Sequence, residues 1–168
     1  MTLLDAPTYD EAKARRRQVI LFGSLGLVFI LIVTYWFLAG RPFDWPWNWY
    51  AHLRGRTTVN HFLGAVEQNE LEKAYGIWMH DPEWQKHPNK YRNYPFDRFQ
   101  DDWSRTSPDN EYGIIQSHKI VAARVYKNVL LMGILINGRK SKALFLTYFP
   151  KDHTLNFAPP DEELYLGP

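Results

Sequence analysis

The residues of this sequence that could do chemistry are its histidines, carboxylates and aromatic side chains. His80 and Asp81 are adjacent, but neighbouring side chains on a helix or strand point in different directions, so this pair does not predict a catalytic dyad. Asp101 and Asp102 diverge in the same way and are expected at a solvated surface. No two histidines have the i, i+4 spacing of a metal-binding helix, and HExxH, GxxxxGKS/T, GxGxxG and GxSxG motifs are absent. The sequence therefore predicts no catalytic residue, no metal site and no cofactor.

The composition excludes several further function classes. Cysteine is absent from the 168 residues, which excludes thiolate zinc sites, iron–sulfur clusters, disulfides and a cysteine nucleophile. Residues 51–168 carry 15 basic and 14 acidic residues, so no basic face for nucleic acid is indicated.

An uncharged stretch of 21 residues, from Val19 to Ala39, is the element expected to determine where the rest of the chain lies. A helix of that length is about 31 Å long, which matches the hydrocarbon thickness of a bilayer. Its polar residues Ser24 and Thr34 can both bond back to their own helix. The stretch predicts a single transmembrane helix over 19–39, with the lipid bilayer as a partner. A cleaved signal peptide is disfavoured, because Phe37 stands where a small residue is needed, so an uncleaved signal anchor is expected.

The segment before this helix, residues 1–18, predicts its orientation. Thr8 and Glu11 have the spacing of a capping box, so a helix is expected to start near Tyr9. Four basic residues cluster just ahead of the apolar stretch: Lys13, Arg15, Arg16 and Arg17. By the positive-inside rule this end stays cytoplasmic. The C-terminal domain is then extracytoplasmic, and periplasmic if the source is bacterial.

Aromatic residues concentrate where the apolar helix ends and in the linker predicted over 40–56. They are Tyr35, Trp36, Trp45, Trp47, Trp49 and Tyr50. Pro42 and Pro46 should hold this linker extended. Tryptophan and tyrosine favour the lipid headgroup layer, which predicts an interfacial belt. They are also common anchors of protein interfaces, which predicts a docking strip for a neighbouring membrane protein. Both roles can coexist.

The rest of the chain predicts helices followed by strands. Apolar residues at three- and four-residue steps indicate a helix over 57–79, capped by Thr57 or Thr58 and broken at Asn69. A long loop is expected over 80–95, and a short helix over 96–105. Strands are expected over 112–126, 129–136, 139–149 and 155–158. Asn137-Gly138 predicts a hairpin turn.

The strand over 129–136 is apolar on both faces, so each face requires a cover. One cover could come from a partner protein or from a second copy of this chain. On the next strand the sequence places Leu144, Leu146 and Tyr148 on one face and Ala143, Phe145 and Phe149 on the other.

The stretch FLGAVEQNELEKAYGIW (62–78), followed by Phe96-x-x-Phe99-x-x-x-Trp103 and then strands, resembles the nuclear transport factor two-like superfamily, which has the cystatin-like cone fold. The resemblance covers 57–158 and leaves 159–168 as a tail. It implies an α+β domain with helices packed on a curved antiparallel sheet, and a cavity in the cone. Four residues are candidates to line that cavity, namely Tyr75, Trp78, Trp103 and His118, although an aromatic set at helical spacing more often belongs to the core.

Two functions are compatible with these features. The first is a non-catalytic, single-pass accessory or scaffolding subunit, which binds and stabilises a larger membrane complex, for example a respiratory or photosynthetic one. The alternative is a membrane-tethered enzyme or small-molecule binder that uses the cone cavity. The alternative requires a pocket of a few hundred Å³ on which two or more polar groups converge.

Overall fold

The computed structural model describes residues 10–87 and 89–159. The chain divides into two compact units, Met1–Leu38 and Ala39–Pro168. The protein is α+β, because its helices are followed along the chain by a four-stranded antiparallel sheet. The predicted capping residue Thr8, and all of the predicted tail except Pro159, lie outside the described residues.

The first unit contains one helix of 28 residues, Glu11–Leu38 (α1). Asp10 caps it, because its carboxylate accepts a hydrogen bond from the backbone N–H of Lys13 at 3.1 Å. Ser24 donates its hydroxyl to the Leu21 carbonyl at 2.9 Å, as predicted. Within the part of the chain that the structure describes, only α1 is long and apolar enough to cross a membrane, and none of its residues is buried.

The helices described in the second unit are Trp49–Glu67 (α2), Leu71–Trp78 (α3) and Phe96–Trp103 (α4). The predicted break is confirmed, since Asn69 has a φ of 63° between α2 and α3. The start predicted for the first of these helices, at residue 57, is wrong. A short turn, Pro46–Asn48, leads directly into α2 at Trp49, so residues 49–56 are helical. Thr57 lies inside the helix, where its hydroxyl donates to the Leu53 carbonyl at 2.8 Å.

The sheet consists of His118–Tyr126 (β1), Val129–Ile136 (β2), Ala143–Phe149 (β3) and Thr154–Phe157 (β4), in that spatial order. The prediction for β2 is confirmed at both ends. β1 begins six residues later than predicted, because the backbone just before it is hydrogen-bonded to the side chain of Asn137 instead of to a neighbouring strand. Its Oδ1 accepts from the N–H groups of Gln116 and Ser117 at 2.8 and 3.1 Å. Its Nδ2 donates to the Ile114 carbonyl at 2.8 Å.

The turn predicted at Asn137-Gly138 is confirmed, because the Arg139 N–H donates to the Ile136 carbonyl at 3.0 Å. Asn137 and Gly138 have positive φ angles, of 52° and 70°, but β3 begins only at Ala143. A second two-residue turn, which was not predicted, is Lys127-Asn128, with φ angles of 44° and 67°, between the paired residues Tyr126 and Val129. Lysine is not a typical residue for this turn, so the sequence gives a weak signal there.

Aromatic rings from the three helices form the centre of the core against one face of the sheet. Phe62 contacts Trp78 and Trp103 at ring-centroid distances of 5.0 and 4.9 Å. Trp103 stacks on Phe157 of β4 at 5.8 Å. The sheet contributes alternate residues, including Leu144, Leu146 and Tyr148 as predicted. Ring contacts of this kind fix helix positions more narrowly than area burial alone.

The opposite sheet face is also apolar, as predicted for β2. Leu131 lies there opposite Thr147 and Gly133 opposite Phe145. Leu131 is only 4% exposed, whereas Phe145 is half-buried. A cover from a partner or a second copy remains a prediction.

Two glycines of α2 form a matched pair for testing how closely this helix approaches the sheet. A Cβ at Gly55 would lie 2.6 Å from Leu130 Cδ2 and 2.9 Å from Tyr148 Cδ1, whereas Gly64 has nothing within 4 Å. We predict that Gly55→Ala lowers the free energy of unfolding by about 1–3 kcal/mol through overpacking. Gly64→Ala should raise it by about 0.5–1 kcal/mol. Urea unfolding of the full-length protein in detergent measures both, and equal effects would contradict the close approach.

Candidate functional site

Four exposed rings near the start of the second unit form what we call the aromatic strip: Phe43, Trp45, Trp47 and Tyr50. Trp45 and Trp47 are 68% and 72% exposed. They stack on each other with ring centroids 5.0 Å apart and an interplanar angle of 2°. Two large indoles held parallel in water form a preorganised apolar surface, which is typical of a binding anchor.

The other residues predicted for the interface have different environments. Trp49 is half-buried, and its indole N–H donates to the Asp44 carbonyl at 2.9 Å. Tyr35 and Trp36 are half-buried near the C-terminal end of α1. The predicted cytoplasmic cluster, Arg15, Arg16 and Arg17, is fully exposed in the first turns of α1.

Asp44 fastens the aromatic strip to α2 through His52. The imidazole is 1% exposed, and its Nε2 lies 2.6 Å from Asp44 Oδ2. Burial lowers the pKa of His52, although the Asp44 carboxylate opposes this shift. The neutral ring with its proton on Nε2 therefore fits the site, because Nδ1 is buried and has no hydrogen-bond partner among the described residues.

Three of the four residues predicted to line a pocket belong to the aromatic core. Tyr75, Trp78 and Trp103 are at most 2% exposed. The Tyr75 hydroxyl donates to the Tyr94 carbonyl at 2.7 Å, and burial raises its pKa to about 12. These residues stabilise the fold by packing.

The fourth predicted residue, His118, lies outside that cluster and joins β1 to α2. Its Nδ1 is 2.6 Å from Glu67 Oε1, and its Nε2 is 3.1 Å from Asn60 Oδ1. Because both ring nitrogens have partners, His118 serves as a bridge between the two elements. Among the described residues, no group of three or more His, Asp or Glu side chains is arranged to hold a metal ion.

A cleft of about 640 Å³ lies between α2, α3 and the loop that follows α3; we call it the α2–α3 cleft. Its α2 wall is a polar stripe at positions i, i+3, i+4 and i+7, namely Arg54, Thr57, Thr58 and His61. From α3 and the loop come Lys73, Ile77, His80 and Trp84. The polar stripe is visible in the sequence between core positions. The opposite wall depends on how α3 folds back, which the sequence does not specify.

A chain of side chains connects one end of this cleft to the sheet. The Tyr148 hydroxyl and His153 Nδ1 are hydrogen-bonded at 2.6 Å. The rings of His153 and His80 are 5.1 Å apart. Burial raises the pKa of Tyr148, and the nearby Arg54 guanidinium opposes this shift. Arg54 and His80 therefore belong to the same end of the cleft.

Asp81 stabilises the loop wall of the cleft. Its Oδ2 accepts a hydrogen bond from the Tyr91 hydroxyl at 2.6 Å and lies 3.0 Å from His87 Nδ1. Its Oδ1 accepts from the backbone N–H of Glu83 at 3.0 Å. These bonds, led by that of Tyr91, lower the pKa of Asp81 to about 2. The loop that carries Trp84 is thus held in place at neutral pH.

The environment of His52 makes the stability of the second unit depend on pH. Its pKa in the folded state is lower than the ordinary histidine value of 6.5. As the pH falls below 6.5, His52 therefore takes up a proton in the unfolded chain before it does so in the folded one. The free energy of unfolding decreases in this pH range. We predict that the urea concentration at which half of the protein is unfolded decreases as the pH is lowered from 7.5 to 5.5. His52→Gln should remove most of this decrease, and an unchanged pH dependence in that variant would contradict the assignment.

Comparison with known proteins does not identify a function for the aromatic strip or the α2–α3 cleft. No protein-family model, curated protein or solved structure matches the chain. The resemblance to the nuclear transport factor two-like superfamily stays a proposal that depends on the residue pattern. Function is therefore argued from the aromatic strip and the α2–α3 cleft.

Proposed function

We propose that the protein is a single-pass, membrane-anchored accessory subunit that binds and stabilises a larger membrane protein complex. The observation that carries the proposal is the stacked, exposed pair Trp45 and Trp47, which follows closely along the chain after α1, a helix of 28 residues that is uncharged from Gln18 to its end. An anchor and an adjacent preorganised apolar surface are what a subunit held against a membrane partner requires.

In this proposal the predicted span over 19–39, which α1 forms up to Leu38, lies in lipid. The exposed cluster Arg15, Arg16 and Arg17 stays on the cytoplasmic side, where anionic lipids favour it. The domain over 57–158 is then extracytoplasmic, and the cone fold with a curved sheet is proposed for it from the sequence pattern. The role is structural, and a respiratory or photosynthetic assembly is an example of a suitable partner.

The aromatic strip serves two purposes in this proposal. Its rings lie in the headgroup layer, where an indole can be half in lipid and keep its N–H hydrated. The face of the Trp45–Trp47 stack contacts the partner complex. The Asp44–His52 hydrogen bond holds the strip in position, which lowers the conformational cost of binding.

Co-purification tests the accessory-subunit proposal. Solubilisation of the native membrane in mild detergent, with affinity capture of the full-length chain and mass spectrometry, should recover a defined membrane complex. The double variant Trp45→Ala/Trp47→Ala should lower its recovery about tenfold or more, since two interface tryptophans are typically hot spots. Ile114→Ala removes an apolar residue that is 53% exposed and should leave recovery unchanged. Elution of the wild-type protein alone would contradict the proposal.

A second candidate function is a membrane-tethered small-molecule binder. The α2–α3 cleft favours it, because about 640 Å³ is within the usual range for ligand sites and several polar groups converge there. This cleft lies on the outer side of the α2–α3 pair and is distinct from the cone cavity that the sequence predicts. Both functions can operate in one protein, since the strip and the cleft use different residues.

A further inference from the structure

We propose that the α2–α3 cleft binds an organic phosphate, with the phosphate group at the end formed by Arg54 and His80. The inference rests on the second candidate function and names its class of ligand. It is independent of the accessory-subunit proposal, because none of the residues that it uses belongs to the aromatic strip.

The cleft has two ends because α2 and α3 form a helical hairpin. The helices are joined by residues 68–70, and so short a connection makes them run antiparallel. Arg54 and His61 are therefore about 10 Å apart along α2. His80 follows α3 and lies at the Arg54 end, as its ring contact with His153 indicates. Lys73 belongs to the first turn of α3 and lies at the His61 end.

The charges differ between the two ends. Lys73 is paired with Glu70 at 2.6 Å, and Glu72, the carboxylate of the cleft lining, is its neighbour in sequence. The Lys73 end is thus largely neutralised. The other end of the cleft is lined by the Arg54 guanidinium and the His80 imidazole. The negative charge of Asp81, next in sequence to His80, is compensated by the Lys90 ammonium at 3.6 Å. Its carboxylate is hydrogen-bonded to Tyr91 and His87. An anion is therefore attracted to the Arg54 end.

The donors at this end suit a phosphate group. A guanidinium offers a planar pair of N–H donors, which binds two phosphate oxygens side by side. The Thr57 hydroxyl is already donated to the Leu53 carbonyl at 2.8 Å, which leaves the half-buried hydroxyl of Thr58 to donate to a third oxygen. The His80 ring adds a further N–H donor. A carboxylate has two oxygens and would satisfy fewer of these groups.

The opposite wall accommodates an apolar body. Ile77, Pro82 and Trp84 line it. The Trp84 ring is fixed by contacts with Tyr75 and Phe96 at 4.8 and 4.7 Å, and its indole N–H donates to the Glu72 carbonyl at 3.2 Å. A fixed indole face next to cationic donors fits a molecule that joins a phosphate to an apolar or aromatic group.

Two residues at the same end of the cleft have left-handed backbone conformations. His80 and His153 have φ angles of 50° and 58°, which cost free energy in residues other than glycine. His80 follows the last turn of α3, where the Asp81 N–H donates to the Gly76 carbonyl at 2.9 Å, so this conformation ends the helix. Here it places two imidazole rings against each other beside Arg54.

Calorimetric titration tests the site with phenyl phosphate as the probe and the full-length protein in phosphatidylcholine nanodiscs. We expect saturable one-site binding. Arg54→Gln should weaken it about tenfold or more, because a charge-assisted hydrogen bond is lost. Arg124→Gln makes the same chemical change at an exposed position of β1 and should leave the affinity unchanged.

A second variant keeps the test valid if Arg54→Gln disturbs the fold. Thr58→Val is nearly isosteric, retains Arg54, and should weaken binding about threefold or more through loss of one hydrogen bond from an uncharged donor. Circular dichroism establishes that each variant is folded. Absence of saturable binding by the wild-type protein would overturn the proposal, as would equal weakening in Arg54→Gln and Arg124→Gln.

The phosphate could belong to a soluble metabolite or to a lipid headgroup, and one further titration distinguishes them. Nanodiscs that contain phosphatidic acid should compete with phenyl phosphate if the source is lipid. Undiminished affinity for phenyl phosphate in these nanodiscs supports a soluble organic phosphate. Because co-purification does not depend on Arg54, failure of this site leaves the accessory-subunit result unaffected, and the reverse also holds.

Discussion

The free-energy cost of leaving an apolar helix in water is the constraint on which the proposed organisation depends. Thirteen large apolar side chains of α1 are each more than half exposed. Complete burial of such a side chain is worth about 1.5–3 kcal/mol, so covering the exposed half to two-thirds of these side chains with lipid would contribute about 10–25 kcal/mol. A small domain is stable by only about 5–15 kcal/mol. The anchor would therefore hold even when the domain unfolds, and every proposed role of the domain is a role at a surface.

The aromatic core determines which side chains remain for function. Phe62, Trp78 and Trp103 fill the space between the helices and the sheet, so the rings at helical spacing are used for packing. Gly55 brings α2 close to β2 and β3, and the polar stripe of α2 is left facing away from the core. That stripe becomes the α2–α3 cleft only because α3 folds back at Asn69.

The sequence predicts those features that depend on local patterns and misses those that depend on tertiary contacts. The apolar helix, the break at Asn69 and the whole of β2 follow from periodicity and turn chemistry. The start of α2 at Trp49 does not, since residues 49–56 have a weak apolar pattern. The sequence also does not predict the cleft, because Arg54 and His80 are distant in the chain and line the same cleft only in the folded protein. His118 and Glu67 could not be paired from sequence for the same reason.

Cysteine accessibility measures most directly whether lipid surrounds α1. The chain lacks cysteine, so a single one can be placed at Ile30 of α1 or at Ile114 of the domain, which are 60% and 53% exposed. In water both thiols would react with a maleimide at similar rates. In intact cells treated with a membrane-impermeant maleimide that reaches the extracytoplasmic space, the account predicts labelling of Ile114→Cys and protection of Ile30→Cys until detergent is added together with denaturant. Equal labelling at both positions would contradict the lipid location of α1. Protection of both positions in intact cells, with labelling of Ile114→Cys once the membrane is permeabilised, would reverse the orientation.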